Sequence, residues 1–362
     1  MNSNKKVFGG GRDSNLELYR IVTMLLIVSH HFVVNSGVLD RAYETPLTAN
    51  SIFLFLFGAW GKTGINCFMM ITGYFMCKSN ITLKKYLKLI GEVLFYNVSI
   101  AMIFVIAGYG SIKDIINAFL LVRVIDSNNF FACFLMFYLL IPFLNILLNN
   151  MNEQQHRRLI AILAFLYIFL GTIPTFNVVM NYVSWFSTLY SIAAYIRFYP
   201  LKERNWGLLT IAFIGIAVLS ILVCLKLGDI LNKQSAYHFV SDSNTFLAFA
   251  ISVSSFMYFK GLKLKQSRLI NAIGGSTFGV LCIHANSMTM INWLWKDFLT
   301  VRAKYDLSLM KLMMFSAIAV LGIFVVCTLI DKIRAQTIEK IFLNMVEGNR
   351  YYLRAKECFE IF

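Results

Sequence analysis

The sequence is short of charge. Only 14% of its 362 residues are Asp, Glu, Lys or Arg, where an ordinary soluble domain carries about 25%. Hydrophobic residues make up 58% and aromatics 15%. A water-soluble fold of this size could not hide so much apolar surface, so lipid is the expected solvent. Proline occurs only four times, and no low-complexity tract or internal repeat breaks the pattern. The longest polar segment is the stretch after Asp331, too short for a separate soluble domain. None of the seven cysteines (Cys67, Cys77, Cys133, Cys224, Cys282, Cys327 and Cys358) forms a CxxC pair, and six fall inside apolar runs. They read as small hydrophobes rather than disulfide partners or metal ligands. No apolar run precedes a small-residue cleavage site, so no removable signal peptide is expected.

What the chain does have is a succession of apolar runs long enough to cross a bilayer. They lie near 16–38, 50–77, 86–107, 129–149, 158–175, 182–198, 206–226, 244–259, 269–295 and 309–330. The expected fold is an all-α polytopic membrane protein of about ten transmembrane helices. Residues 1–330 would form the membrane domain and 331–362 an amphipathic tail. Ile341, Phe342, Met345, Tyr351 and Leu353, set among Lys and Arg, suit the tail to the inner leaflet. The net charge of +15 could suggest nucleic acid, but its distribution argues otherwise. With a cytoplasmic N-terminus, 22 Lys and Arg fall on inner segments and nine on outer ones, with Arg20 and Lys62 inside spans. Cytoplasmic loops are enriched in these residues, so the basic charge is a topology signal, with both termini cytoplasmic and no nucleic-acid partner.

The first span holds Glu17, Arg20, His30 and His31. An ionisable residue inside a span costs about 2.5–3.5 kcal/mol on insertion scales and faces a protein interior or wet cavity. Arg20 and His31 are 11 residues apart, about three full turns, which leaves them within about 20° of one face and about 16 Å apart along the axis. His30 points elsewhere by about 100°. Glu17 is close enough to pair with Arg20. A bland alternative has Arg20 snorkelling to the headgroups and His31 packing in the core. The functional one has a cation near the inner surface and a titratable base near mid-membrane, where an anionic cytosolic donor could be held and react.

At these residues the chain resembles the acyltransferase family 3 membrane proteins. Arg20 and His31 match that family's Arg-x10-His pattern, and Asn15-Leu16-Glu17-Leu18-Tyr19-Arg20-Ile21-Val22 with the His30-His31 doublet resembles its Gram-positive members. Further similarities follow in order: Cys67 to Phe75 with Gly73-Tyr74; Phe131 to Tyr138, then Pro142-Phe143-Leu144-Asn145; Trp185-Phe186 and Tyr190 ahead of Arg197; and Ser276 to His284. They cover about residues 14–330. There are departures. Lys85-Tyr86-Leu87-Lys88 stands where the family often has Arg-x-x-Arg, and lysine binds phosphate as a point charge without the bidentate fork. Thr72 stands where serine is usual, and Leu281-Cys282 where Tyr-Leu is common. The fused esterase-like domain of some relatives is not expected.

The resemblance implies a bacterial plasma-membrane enzyme that moves an acyl group, commonly acetyl from acetyl-CoA, to a hydroxyl of a surface glycan or lipid-linked oligosaccharide. His31 would be the general base, with an acyl-histidine intermediate as a less favoured variant. Arg20, with Glu17 beside it and with Lys85 and Lys88, would hold the donor's phosphates. Lys62, in Gly61-Lys62-Thr63-Gly64, could mark a broken helix lining the cavity or snorkel from a displaced span end. His284 could touch the acceptor or pack in the core. Trp185 and Tyr190 could line the glycan path or form an interface belt. His156 and His238 are assigned no role. Met-rich stretches such as Met69-Met70 and Met313-Met314 suit packing, and no metal is implied. The competing functions are a transporter with Arg20, Lys62 and His31 along a substrate or proton path, and a non-catalytic partner of glycan assembly. No repeated pair of interrupted helices favours the transporter.

Overall fold

The computed structural model describes residues 13–44, 47–121, 129–173, 175–176, 178–231 and 236–359. Lys5, Lys6, Arg12, Arg123, Lys233 and the side chain of Cys358 lie outside the described residues. Among those described, all regular structure is helical.

The chain opens with α1 (Ser14–Val34), a short α2 (Val38–Glu44), and the pair α3 (Ala49–Gly58) and α4 (Gly61–Met76). Then come α5 (Leu83–Ile106), α6 (Ile112–Ala118), α7 (Phe130–Asn149), α8 (Glu153–Leu163) and α9 (Leu170–Thr172), the last two joined by a π turn. The second half holds α10 (Tyr182–Phe198), α11 (Trp206–Leu231), α12 (Phe246–Gly261), α13 (Arg268–Gly274), α14 (Thr277–His284) and α15 (Met288–Asn292). It ends with α16 (Leu309–Gln336), α17 (Ile338–Glu347) and α18 (Arg350–Phe359). Side-chain caps start many of these helices. Thr82 accepts from the Lys85 amide, Asn129 from Ala132 and Asn181 from Ser184, each satisfying an amide the helix leaves unpaired.

Among the described residues, six stretches are long and apolar enough to cross a membrane: Ser14–Val34, Ala49–Met76, Leu83–Ile106, Phe130–Asn149, Trp206–Leu231 and Leu309–Glu347. The other four expected spans are helical but shorter or interrupted. Residues 153–172 form one helical run with a π turn at Ala164–Phe169, α10 has 17 residues and α12 has 16. The ninth expected span is divided into α13, α14, α15 and a further π turn at Trp293–Phe298.

Packing separates a core from a rim. Helix α4 lies against α1, α10 and α12, and α1 also packs on α3, α13, α14 and α16. Helix α11 packs mainly on α12 and leaves Leu208, Ile211 and Leu219 exposed. Helix α16 likewise leaves Ile318, Val325 and Leu329 outside. Apolar surface on that scale fits a hydrocarbon solvent. The cysteines at 67, 77, 133, 282 and 327 are buried.

The last long helix does not stop at Asp331. Helix α16 continues to Gln336, with Asp331 and Arg334 buried. The Arg334 guanidinium meets Glu92 at 3.1 Å, Asp331 at 3.0 Å and Glu339 at 2.9 Å, and Tyr96 donates to Asp331. A buried charge needs such partners, and Glu92 and Glu339 come from other helices, which is why the sequence order hid the cluster. Lys84 pairs with Glu347 and Lys88 with Glu339, while Phe359 stacks on Tyr86. One side of the tail therefore lies on α5; Ile341, Met345, Tyr351 and Leu353 remain exposed.

Candidate active site

Four of the residues on α1 that follow Arg20 at helical spacing, Met24, Ile27, His31 and Val34, line one wall of a cavity of about 680 Å³. That volume falls within the roughly 300–1,000 Å³ of a small-molecule site. Gly61, Lys62 and Ile65 of α4 form a second wall, with Asn129, Phe130, Phe131 and Tyr182 beyond. Leu281, Asn286 and Ser287 close the other side. Helix α1 ends at Val34, so His31 stands in its last turn rather than midway along it.

The break between α3 and α4 builds this site. Gly61 is required by close approach: a Cβ there would fall 2.2 Å from the His30 ring. The carbonyl of Gly58, freed at the end of α3, accepts from His30 Nδ1 at 2.6 Å. His30 therefore lines the cavity too, although its position on the helical wheel pointed it away from His31. Lys62, in the first turn of α4, donates to the Tyr182 hydroxyl at 3.1 Å and lies 4.0 Å from Asp242. Its side chain lines the cavity with His31.

The two histidines fix each other's hydrogen positions. His284 is fully buried at the end of α14, with Nδ1 2.6 Å from the Val280 carbonyl. A carbonyl only accepts, so His284 Nδ1 carries the hydrogen. With both rings neutral, His284 Nε2 must then accept, and its partner is His31 Nδ1 at 3.0 Å. His31 Nδ1 is the donor, and His31 Nε2 keeps its lone pair. The chain Val280–His284–His31 thus leaves an unprotonated nitrogen on a residue that lines the cavity. His284 meets His31 and is itself buried, as the core alternative for it expected.

The remaining site residues divide. Arg20 is not part of the cavity wall; its guanidinium lies over Phe68, which is, at 5.7 Å, and its Nε is 3.7 Å from Glu17. Lys85 donates to Ser79 Oγ and the Asn80 carbonyl of its own turn, and Lys88 pairs with Glu339. Trp185 and Tyr190 do not line this cavity. Both are fully buried: Trp185 donates to Asn66 and Tyr190 to Asn145. Their polar tips tie α10 to α4 and α7, so they brace the bundle. Tyr182, at the start of the same helix, is the aromatic that reaches the cavity. Nothing in its local sequence set it apart from other tyrosines, because Lys62 is 120 residues away.

A basic group unforeseen in the sequence surrounds Tyr74. Arg197 donates to its hydroxyl at 2.6 Å and lies over its ring, with Lys260 at 5.8 Å from the same ring.

The family model of the acyltransferase domain of acyltransferase family 3 matches residues 13–332. No curated protein and no solved structure matches the chain. The matched stretch takes in every helix that lines the cavity, and the chain belongs to acyltransferase family 3: it is a membrane enzyme that transfers acyl groups other than aminoacyl groups.

Proposed function

We propose that the enzyme moves an acyl group, acetyl in the simplest case, from acyl-CoA to a hydroxyl of a cell-surface or exported polysaccharide, or of its lipid-linked precursor. The chain would cross the bacterial plasma membrane about ten times with both ends in the cytoplasm, as the excess of Lys and Arg on the inner segments supports. The donor would enter from the cytoplasmic side and the acceptor from the other.

The observation that carries this reading is the unprotonated His31 Nε2 held by His284 against a cavity of about 680 Å³. A sugar hydroxyl is a poor nucleophile until a base takes its proton. His31 Nε2 accepts that proton as the hydroxyl oxygen attacks the thioester carbonyl. The C–S bond then breaks, and the imidazolium returns the proton to the departing sulfur. His284 keeps Nδ1 of the imidazolium hydrogen-bonded throughout. Lys62 supplies positive charge to the same cavity, where the tetrahedral oxyanion would form. Arg20 would serve the donor, with Lys85 and Lys88 as further phosphate contacts, released from Ser79 and Glu339 when phosphates arrive.

The test is transfer of label from acetyl-CoA by the purified protein in nanodiscs, with glycan extracted from the producing cell as acceptor. Acceptor-dependent label on the glycan is expected. Release of free acetate at the same rate with and without glycan would refute the proposal.

A further inference from the structure

A second cavity, of about 180 Å³, lies between α5, α6 and the start of α15. Helix α6 folds back beside α5 because Gly108 takes φ +78°, a left-handed turn that a side chain would oppose. Asn97 comes from α5, Asn117 from α6, Asn286 and Ser287 from the break before α15, and Thr289 from its first turn. Asn286 and Ser287 line the His31 cavity as well, so the two spaces share a wall.

The lining has a particular chemistry. No lysine, arginine or histidine is among the described residues that form it. Asn286 Nδ2 donates to Asn97 Oδ1 at 3.0 Å, which leaves Asn97 Nδ2 and Asn286 Oδ1 turned to other partners. The side chains of Asn117 and Thr289 make no hydrogen bond to another described residue. Donors and acceptors are thus both on offer, without a cation to hold phosphate, beside the ring of Phe104. A coenzyme would need a larger, basic space; the uncharged donors and acceptors of this lining match the hydroxyls of one neutral ring. Asp114 adds a carboxylate at the edge. The Ser111 amide and hydroxyl donate to it at 2.7 and 2.9 Å, which holds its carboxyl below the usual range and keeps it charged.

We infer that this cavity is an acceptor subsite that binds the neutral sugar ring next to the one being acylated. The inference rests on the acyl-transfer reading for the reaction at His31. Asn286 and Ser287 would lie between the two rings, and Asp114 would disfavour a uronic acid in the subsite.

The test uses mono-, di- and trisaccharide fragments released by mild acid from the producing cell's surface polysaccharide. Asn117→Leu and Thr289→Val remove groups that hydrogen-bond no other described side chain or carbonyl. Each is expected to raise KM for di- and trisaccharides roughly tenfold, the size of one to two lost hydrogen bonds, with kcat unchanged and monosaccharide transfer unaffected. Fragments bearing a uronate are expected to bind less well, and Asp114→Asn to narrow that difference. Binding is read separately, without donor, from the fluorescence of Trp293, whose ring meets Phe104 at 5.7 Å. Fragment binding that these variants weaken supports the subsite even where no acetyl is transferred, which would overturn only the transfer reading. Variants that leave di- and monosaccharides equally affected, or both unaffected, overturn the subsite.

Discussion

Replacing His284 tests the histidine pair most sharply. His284→Leu keeps the side chain's approximate bulk and removes the acceptor for His31 Nδ1. A donor left without a partner in a buried site costs about 1–3 kcal/mol. If that penalty falls on the state in which His31 takes the proton, kcat drops about 5- to 150-fold. His31→Gln removes the base itself and is expected to cost about 10²–10⁴-fold. Because His284 acts through His31, the double variant should be no slower than His31→Gln alone. His284→Gln, whose amide oxygen can accept, should recover part of the lost rate. The assay is initial-rate acetyl transfer in nanodiscs over a range of acceptor concentrations. A positioning role lowers kcat and leaves acceptor KM nearly constant. An effect of His284→Leu confined to acceptor KM would return His284 to the acceptor contact expected from sequence, and unchanged kinetics would refute the relay.

Other consequences concern the frame around the site. Gly61→Ala puts a methyl group into the His30 ring, so thermal unfolding in detergent should fall by the equivalent of about 1–3 kcal/mol, with transfer reduced alongside. Arg334→Met leaves Glu92, Asp331 and Glu339 without their shared cation, a loss of about 3–5 kcal/mol that should appear as poor folded yield; adding Glu92→Gln should restore part of it. Trp185→Phe leaves the buried Asn66 Oδ1 without its donor and should cost about 1–3 kcal/mol of stability while acceptor KM stays the same. A changed acceptor KM in that variant would put Trp185 back on the glycan path.

The sequence carried the architecture better than the contacts. Apolar runs and the Arg20–His31 spacing needed only local periodicity; on that face of α1 Met24, Ile27, His31 and Val34 line the cavity, while Arg20 does not. The glycine pair around Lys62 marked the break between α3 and α4 because backbone freedom is a local property. What stayed hidden depends on residues far apart in the chain. His284 is 253 residues from His31, and no local pattern says which buried histidine meets which. Trp185 and Tyr190 matched a motif, yet the motif's job here is to hold α10 against α4 and α7. The first helix ends at Val34 rather than at residue 38, because the end of an apolar run does not fix where the helix stops.

The central claim is that His31 Nε2 takes the acceptor's proton. The direct measurement is the single-turnover rate of acetyl transfer to glycan by His31→Gln, inserted and purified to the same monodispersity as the parent protein. A loss of at least about 10²-fold is expected, with donor binding retained. Transfer at the parent rate would contradict it.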